Sequence, residues 1–509
     1  MIANVTYWLD KTAAKFPDRT AFADEKGEIT FEETQRRAKR IATEIVKKGL
    51  FKKPIVIYLD KGIDVPTAFM AVAYSGNFYS PIDTDMPMSR ANKIMEILNP
   101  ALVITTMERK DDFAESGYQG DFLLLDTAIT AEIQEEKIAL VQRKVIDTDL
   151  LYVLFTSGST GVPKGVTITH RSVIDHIDWV VETFNITEDD RFGNQVPFYF
   201  DMSILDIYST IKSGAATYII PKSLFSYPVL LLEYLKEKRI TTIYWVPSAM
   251  IMVSRLQALR EVDLSDTLRR VLFAGEVMPS RQLNIWRSYL PNVLYANLYG
   301  PTEITDTCVY YIVNREFADE EPIPIGVPMS NKDIIVLDEN DELVTEKGSG
   351  ELCVRGTSLS MGYYNNPEKT KEVFVQNPLN PFVPEIIYRT GDLVQFNEYG
   401  EMVYLSRKDY QIKHMGRRIE LGEIEKAVSS LQEISVCCCI YDKIHRQIVL
   451  FIEEDLEKSY INHKISKLVP EYMLPNRVVK LDKIPINANG KIDRVELSEG
   501  LHYAKGLDK

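Results

Sequence analysis

Through roughly its first four hundred residues the chain alternates short apolar runs with amphipathic segments, and that alternation confines the fold to the α/β class. Leu150-Leu-Tyr-Val-Leu-Phe155 has the make-up of a buried strand ending in a Gly/Ser/Thr loop, and Val166-Thr-Ile-Thr169 reads as a second strand. After it, Val173, Ile177, Val180 and Phe184 fall on one helical face, with Thr169 as the N-cap. Similar buried runs recur at 242–246, 271–274 and 293–298, each followed by Gly or Pro. From about residue 323 the texture changes: 333–344 carries a hairpin signature, and 350–354, 386–389 and 401–405 add short strands, which predicts a β-rich lobe. The charged Ser406-Arg-Lys-Asp409 lies between two strand-like runs, as a hinge would. Beyond it, 419–431 reads as a helix with Leu421, Ile424, Val428 and Leu431 in register, and the last hundred residues suggest a small α+β unit. The expected organisation is therefore a large domain over 1–408, with layered α/β sheets and the β-rich lobe, and a small C-terminal domain over 409–509.

Composition narrows the function. Apolar residues make up 45% and charged residues 26%, the balance of a soluble globular protein rather than a disordered one. The 73 Asp plus Glu outnumber the 59 Lys plus Arg, a formal net charge of −14, so phosphate-backbone attraction gives no general affinity for nucleic acid. The five cysteines are odd in number, form no CxxC pair, and include the run Cys437-Cys-Cys439 inside an apolar segment, which reads as a buried strand in a reducing compartment. Asp10 and Lys11 interrupt any apolar leader, and Pro66, Gly76, Asn77 and Pro81 break the longest uncharged run. A cytoplasmic location is expected.

The chemistry starts at Thr156-Ser-Gly-Ser-Thr-Gly-Val-Pro-Lys-Gly165. Gly158, Gly161 and Gly165 allow tight turns that present backbone N–H groups; Thr156, Ser157, Ser159, Thr160 and Lys164 add hydroxyls and positive charge, as a polyphosphate requires. This is not a Walker loop, because Lys164 follows Pro163 and precedes Gly165, and the flanking order is strand–loop–strand. No G-x-G-x-x-G, G-x-S-x-G or H-E-x-x-H occurs.

Five further motifs follow in order: Asn297-Leu-Tyr-Gly-Pro-Thr-Glu303, Tyr388-Arg-Thr-Gly-Asp392, Ser406-Arg-Lys-Asp409, Gly416-Arg-Arg-Ile-Glu-Leu-Gly-Glu-Ile-Glu425 and Asn489-Gly-Lys-Ile-Asp-Arg494. With the loop, they resemble the adenylate-forming (acyl-activating) superfamily, and within it the amino-acid adenylation enzymes of the nonribosomal-peptide type. The nearest branch is the stand-alone D-alanine–D-alanyl carrier protein ligases. The resemblance spans essentially the whole chain. It implies ATP and Mg²⁺ as cofactors, a mobile C-terminal domain hinged at Asp409, and Lys491 as the catalytic group at the carboxylate and α-phosphate. It places Asp392 on the ribose hydroxyls with Arg407 beside it, and Tyr299 against adenine with Asn297, Leu298, Gly300 and Pro301 along the same wall. Thr302 lies near the phosphates and Glu303 is the Mg²⁺ ligand. A turn aspartate after Thr390-Gly391 is the plain alternative for Asp392.

The same resemblance puts an aspartate that pairs with a substrate ammonium at Asp201, in Pro197-Phe-Tyr-Phe-Asp201. Asp201 also directly precedes a helical pattern, so N-capping is a second role open to it. The substrate pocket is expected from Met202, Leu205, Ser248, Leu272, Ala274, Leu298, Asp306 and Thr307. Two positions depart from the D-alanine branch: Ala274 stands in place of Cys, and Asp306 in place of an apolar residue. An acid at 306 is costly beside a methyl group unless solvated or paired, so either the bound side chain is polar or cationic, or Asp306 points away. A domain swing would replace Lys491 with the His414-Met-Gly416 loop, where glycine admits a phosphopantetheine arm. No carrier-like segment precedes Lys509, so the acceptor is expected to be a separate carrier protein. An acyl- or aryl-CoA ligase of the same superfamily is the alternative enzyme, and a non-catalytic nucleotide sensor the alternative outside enzymology.

Overall fold

The computed structural model describes residues 3–113, 118–157, 162–345, 348–408, 411–486 and 492–503. The chain divides into two compact units. The larger comprises Met1–Thr84, Ile97–Phe155 and Gly165–Lys408; the smaller comprises Asp85–Glu96, Thr156–Lys164 and Asp409–Lys509. Two short segments expected with 1–408 thus group with 409–509. Within the smaller unit, Arg90 is ion-paired with Glu423 and the Ser157 hydroxyl donates to the Arg418 carbonyl at 2.6 Å. Such long-range contacts leave no trace in local sequence.

Among the described residues, three sheets build the larger unit. In the first, the strands Thr242–Trp245, Arg270–Phe273 and Leu294–Tyr299 run parallel side by side, flanked by Arg191–Asn194 on one edge and the antiparallel Val309–Ile312 on the other. Their residues are buried almost throughout, as parallel strands covered on both faces must be. A second, six-stranded sheet contains Leu150–Thr156 next to Lys164–Thr169, the strand–loop–strand expected from the sequence. The helix His170–Thr183 follows at once. Thr169 caps it by accepting from Ser172 N at 3.1 Å, and Val173, Ile177 and Val180 are fully buried. The third sheet is the β-rich lobe, where Ser349–Gly356 pairs antiparallel with both Lys332–Leu337 and Ile386–Phe396.

In the smaller unit, Gln411–His414 and Arg417–Glu420 form a hairpin whose two turn residues, Met415 and Gly416, have φ of 51° and 74°. Both central residues at positive φ is the turn that matches strand twist. The helix expected over 419–431 is shorter, Leu421–Val428. Ile419 instead pairs with Ile412 across the hairpin, because β-ladder hydrogen bonds take the residues that helical periodicity alone had claimed. Cys437–Asp442 is a buried strand, paired with Gln447–Ile452, and all five cysteines are buried. No helix among the described residues is long and apolar enough to cross a membrane.

Candidate functional site

The Tyr388–Asp392 motif does not sit in a turn. It lies inside the strand Ile386–Phe396, where the register against Ser349–Gly356 slips between Glu351 and Cys353. Glu351 faces Leu393 while Cys353 faces Arg389, so extra residues bulge out around Thr390 and Gly391. Gly391 takes φ 74°, and its N–H donates to Glu351 at 3.0 Å. The bulge aims Asp392 inward: it is 1% exposed, its Oδ1 accepts from Arg407 at 2.8 Å and its Oδ2 accepts from the Tyr299 hydroxyl. Three residues that the sequence placed around the nucleoside therefore meet at one carboxylate. Burial, and then the Asp392 charge, pushes the Tyr299 phenol well above its ordinary value, so it stays a hydrogen-bond donor. Asn297, on the same strand as Tyr299, donates to the Pro324 carbonyl at 2.8 Å.

The loop after that strand is tightly closed. Thr302–Ile304 make a short turn, Thr305 and Asp306 follow with φ of 62° and 68°, and Cys308 N returns to the Tyr299 carbonyl at 2.9 Å. Left-handed backbone at non-glycine residues costs about 1–3 kcal/mol each and persists only where surroundings impose it. Here the Thr305 hydroxyl donates to the Ser358 carbonyl at 2.8 Å, Lys332 donates to the Thr307 carbonyl, and Ser360 N holds the Glu303 carbonyl at 2.9 Å. Glu303 is fully buried and accepts from the Tyr363 hydroxyl at 2.7 Å. Among the described residues no three His, Cys, Asp or Glu gather as a metal cage. A lone carboxylate suits Mg²⁺, which keeps phosphate oxygens and waters as its other ligands.

A Cβ on Gly300 would stand 2.5 Å from the Thr307 Cα and 2.6 Å from the Asp306 carbonyl oxygen, and both are backbone atoms. Gly300→Ala is thus expected to displace the 305–308 loop and to lower stability by about 1–3 kcal/mol. Denaturant unfolding checks this, and a fully stable alanine variant would contradict the close approach.

Three of the expected pocket residues, Leu272, Ala274 and Leu298, share one sheet face. Tyr244 pairs with Leu272, and Leu272 with Ala296; Ala274 and Leu298, two residues further along their chains, share that face. Met202, Leu205, Tyr244, Leu272, Ala274 and Leu298 belong to one buried apolar cluster. Ser248 N donates to Glu276 at 2.9 Å, tying the Ser248 turn to the Ala274 segment. The capping role left open for Asp201 is not what the structure has: the helix begins at Ser203, its N-cap is Met202, and no side chain caps it. Asp201 Oδ1 accepts instead from the adjacent Met202 N at 2.9 Å. Burial, and then the nearby Asp306 carboxylate, holds the Asp201 carboxyl above the usual range, against hydrogen bonds from Thr302 and Met202. The Thr302 hydroxyl, expected near phosphates, is thus at Asp201.

Sequence alone missed Tyr244, His176 and Asp206. Asp306 is 3% exposed; the Tyr244 hydroxyl lies 3.1 and 3.2 Å from its two oxygens, and His176 Nε2 lies 3.5 Å from Oδ2. His176 follows Val173 by one helical turn and stands beside Ile177 and Val180 on the buried side of the helix, a signal that was available. Asp206 is fully buried, accepts from Asn194 at 2.9 Å through Oδ2, and has no hydrogen-bond partner at Oδ1. Burial pushes its carboxyl up to about 7, against the Asn194 hydrogen bond and the Lys61 charge. A carboxyl raised from its unfolded value stabilises fully below about pH 4 and loses that contribution as pH rises through about 7. Asp206→Asn is therefore expected to be more stable than the parent at pH 8, by about 1–3 kcal/mol, with the gap closing towards pH 5. Urea unfolding across that range tests the sign.

In the smaller unit, Lys164 Nζ lies 3.7 Å from Glu420. His414 Nδ1 is 3.2 Å from the Tyr441 hydroxyl. Gly158, Ser159, Thr160, Gly161, Asp409 and Lys491 lie outside the described residues.

The sequence pattern of the family described as AMP-binding enzyme matches residues 9–364. The chain belongs to that family. Its enzyme class is that of a ligase, as the sequence motifs implied. It is 31% identical to tyrocidine synthase 1 of Brevibacillus parabrevis over 96% of its own length, but spans only 44% of that protein. It is 29% identical to the D-alanine–D-alanyl carrier protein ligase of Lacticaseibacillus paracasei, covering 98% of this chain and 99% of the relative. The crystal structure of the Vibrio cholerae adenylation domain AlmE in complex with glycyl-adenosine-5'-phosphate superposes with a TM-score of 0.85, over 99% of this chain and 98% of that one. At 20% identity that likeness fixes the fold of this AMP-binding enzyme.

Proposed function

We propose that this AMP-binding enzyme activates an amino acid as its aminoacyl adenylate and passes the acyl group to the phosphopantetheine thiol of a separate carrier protein. The observation that carries the amino-acid half is Asp201, a partly buried carboxylate with no lysine or arginine partner among the described residues, set against the apolar cluster of Met202, Leu205, Leu272 and Leu298. A substrate ammonium supplies the missing charge; a fatty or aryl acid would leave the carboxylate unpaired, which disfavours the CoA-ligase alternative.

In the first step a carboxylate oxygen of the amino acid attacks the α-phosphorus of ATP. The bond to the bridging oxygen breaks, and pyrophosphate leaves with the electron pair. Asp392 holds the ribose hydroxyls with its remaining lone pairs, Arg407 and Tyr299 fix its orientation, and Tyr299 packs on adenine beside Asn297, Leu298, Gly300 and Pro301. The Thr156–Lys164 loop wraps the phosphates. Glu303 would hold Mg²⁺, which when bound neutralises phosphate charge. Lys491 offsets the charge that builds between carboxylate and α-phosphate. In the second step the thiol sulfur attacks the acyl carbon and AMP departs; a swing about Asp409 exchanges Lys491 for the hairpin turn at Gly416. D-Alanine is one candidate substrate among small or polar amino acids.

Amino-acid-dependent exchange of labelled pyrophosphate into ATP, across L- and D-isomers, is the test. Exchange with at least one amino acid is expected; CoA thioester formation from fatty or benzoic acids in its place would overturn the proposal.

A further inference from the structure

Asp201 and Asp306 are both among the residues expected to line the substrate site, and a simple zwitterion brings a single cation. That cation is matched by Asp201. Asp306 remains, and the structure does little to compensate it. Its oxygens accept from the Tyr244 hydroxyl, and no lysine or arginine pairs with it among the described residues. The charge of the buried Lys332 lowers the Asp306 carboxyl, but its ammonium makes its contacts to the Thr307 carbonyl and, at 3.6 Å, the Met329 sulfur. A carboxylate offers about four lone-pair sites, and Tyr244 fills one.

The histidine beside it points the same way. His176 is fully buried, and neither ring nitrogen has a hydrogen-bond partner, although Nε2 faces Asp306. Burial, and then the Lys332 charge, holds His176 well below its ordinary value, so it is neutral and neutralises nothing. The Thr307 hydroxyl in the same loop is also buried without a partner. Polar atoms left unmatched in a protein interior cost about 1–3 kcal/mol each, and a ligand with several N–H donors suits the acceptors among them, the Asp306 oxygens and the Thr307 hydroxyl. The loop that carries Asp306 holds it on left-handed backbone at two successive residues, a strain that fixes where the carboxylate goes.

Building on the amino-acid reading above, we propose that the substrate carries a second protonated nitrogen on its side chain, and that Asp306, set by Tyr244 and faced by His176, is the group that binds it. A diamino acid thus presents its α-ammonium to Asp201 and its side-chain ammonium to Asp306. A methyl or hydroxymethyl side chain would leave Asp306 either charged and unmatched or protonated. The upward push on both carboxyls by burial agrees with a site built for incoming cations.

The experiment is pyrophosphate exchange by the full chain with L- and D-forms of 2,4-diaminobutyrate, ornithine and lysine, against alanine, serine, norvaline and glutamine. At least one basic amino acid is expected to exceed every neutral one tenfold or more in kcat/KM. Asp306→Asn is expected to cut that value tenfold or more, chiefly through the KM of the amino acid, and to erase the preference over norvaline while the KM for ATP holds. A parent enzyme that favours alanine or serine overturns this inference and leaves amino-acid activation standing, whether or not the Asp306 variant folds. Exchange with no amino acid at all would overturn both. Preference unchanged in a folded Asp306→Asn variant also overturns the assignment.

Discussion

Replacing Asp201 with alanine is expected to lower amino-acid-dependent pyrophosphate exchange by about 10²–10⁴, because breaking a desolvated ion pair costs about 3–5 kcal/mol and this pair exists only when substrate is bound. The protein should not pay for the loss in stability. Asp201 makes one backbone bond, to its neighbour Met202, and the helix from Ser203 has its N-cap elsewhere. Its carboxyl is also pushed up by burial and by Asp306, so its removal relieves a like-charge contact. The alanine variant should melt at or above the parent temperature near pH 8, and bind ATP with unchanged affinity. Asp201→Asn, which keeps the shape and one acceptor, should fall between the two in exchange. A variant that retains more than about a tenth of parental kcat/KM would remove Asp201 from substrate recognition; loss of activity together with collapse of the fold would make it structural. That combination of high stability and low activity is what a site strained for function predicts.

How far the sequence shows the fold depends on whether the information is local. The strand–loop–strand around Gly165 and the helix capped by Thr169 are written in adjacent residues: an apolar run, a hydroxyl at the cap, and Val173, Ile177 and Val180 at helical spacing. Ile419 fits a helical face equally well, yet its backbone is claimed by Ile412 across a hairpin. That pairing is set by the Met415-Gly416 turn, whose φ values a periodicity argument does not weigh. Asp392 shows the same limit from the other side. Thr390-Gly391 looks like a turn, but the chain continues as a strand and the glycine makes a bulge.

The candidate site was legible where residues stand in contiguous motifs. Tyr299, Asp392 and Arg407 come from three separate motifs and meet at a single carboxylate. Asp306 stood out because an acid occupies a position expected to be apolar. Its companions did not: Tyr244 is one of two aromatics in the buried strand Thr242–Trp245, and His176 one of several buried polar residues on its helix. Each becomes informative only through the other's position, since strand and helix are far apart in sequence and the loop that joins them to Asp306 is held by Thr305, Lys332 and Gly300 rather than by its own composition.

Lys491→Ala should divide the two half-reactions. If the lysine serves only the step in which charge builds between carboxylate and α-phosphate, its loss removes one electrostatic donor from that transition state, worth about 10²–10³ in rate. Thiol attack on a supplied aminoacyl adenylate should stay within about threefold of the parent, since a group absent from a transition state contributes nothing to it. Gly416→Leu should show the converse: a side chain at φ 74° in the hairpin turn, where glycine admits the thiol arm, slows transfer and spares adenylation. The local fold supports the comparison. Arg494, the last residue of the motif, donates to both oxygens of Glu425 at 2.7 and 2.8 Å and to the Cys439 carbonyl at 2.8 Å, bonds that neither substitution touches. Single-turnover formation of adenylate and of carrier thioester, measured separately, gives the readout. Equal losses in both steps for Lys491→Ala would mean that one static arrangement serves both reactions, and the swing about Asp409 would have no role left to play.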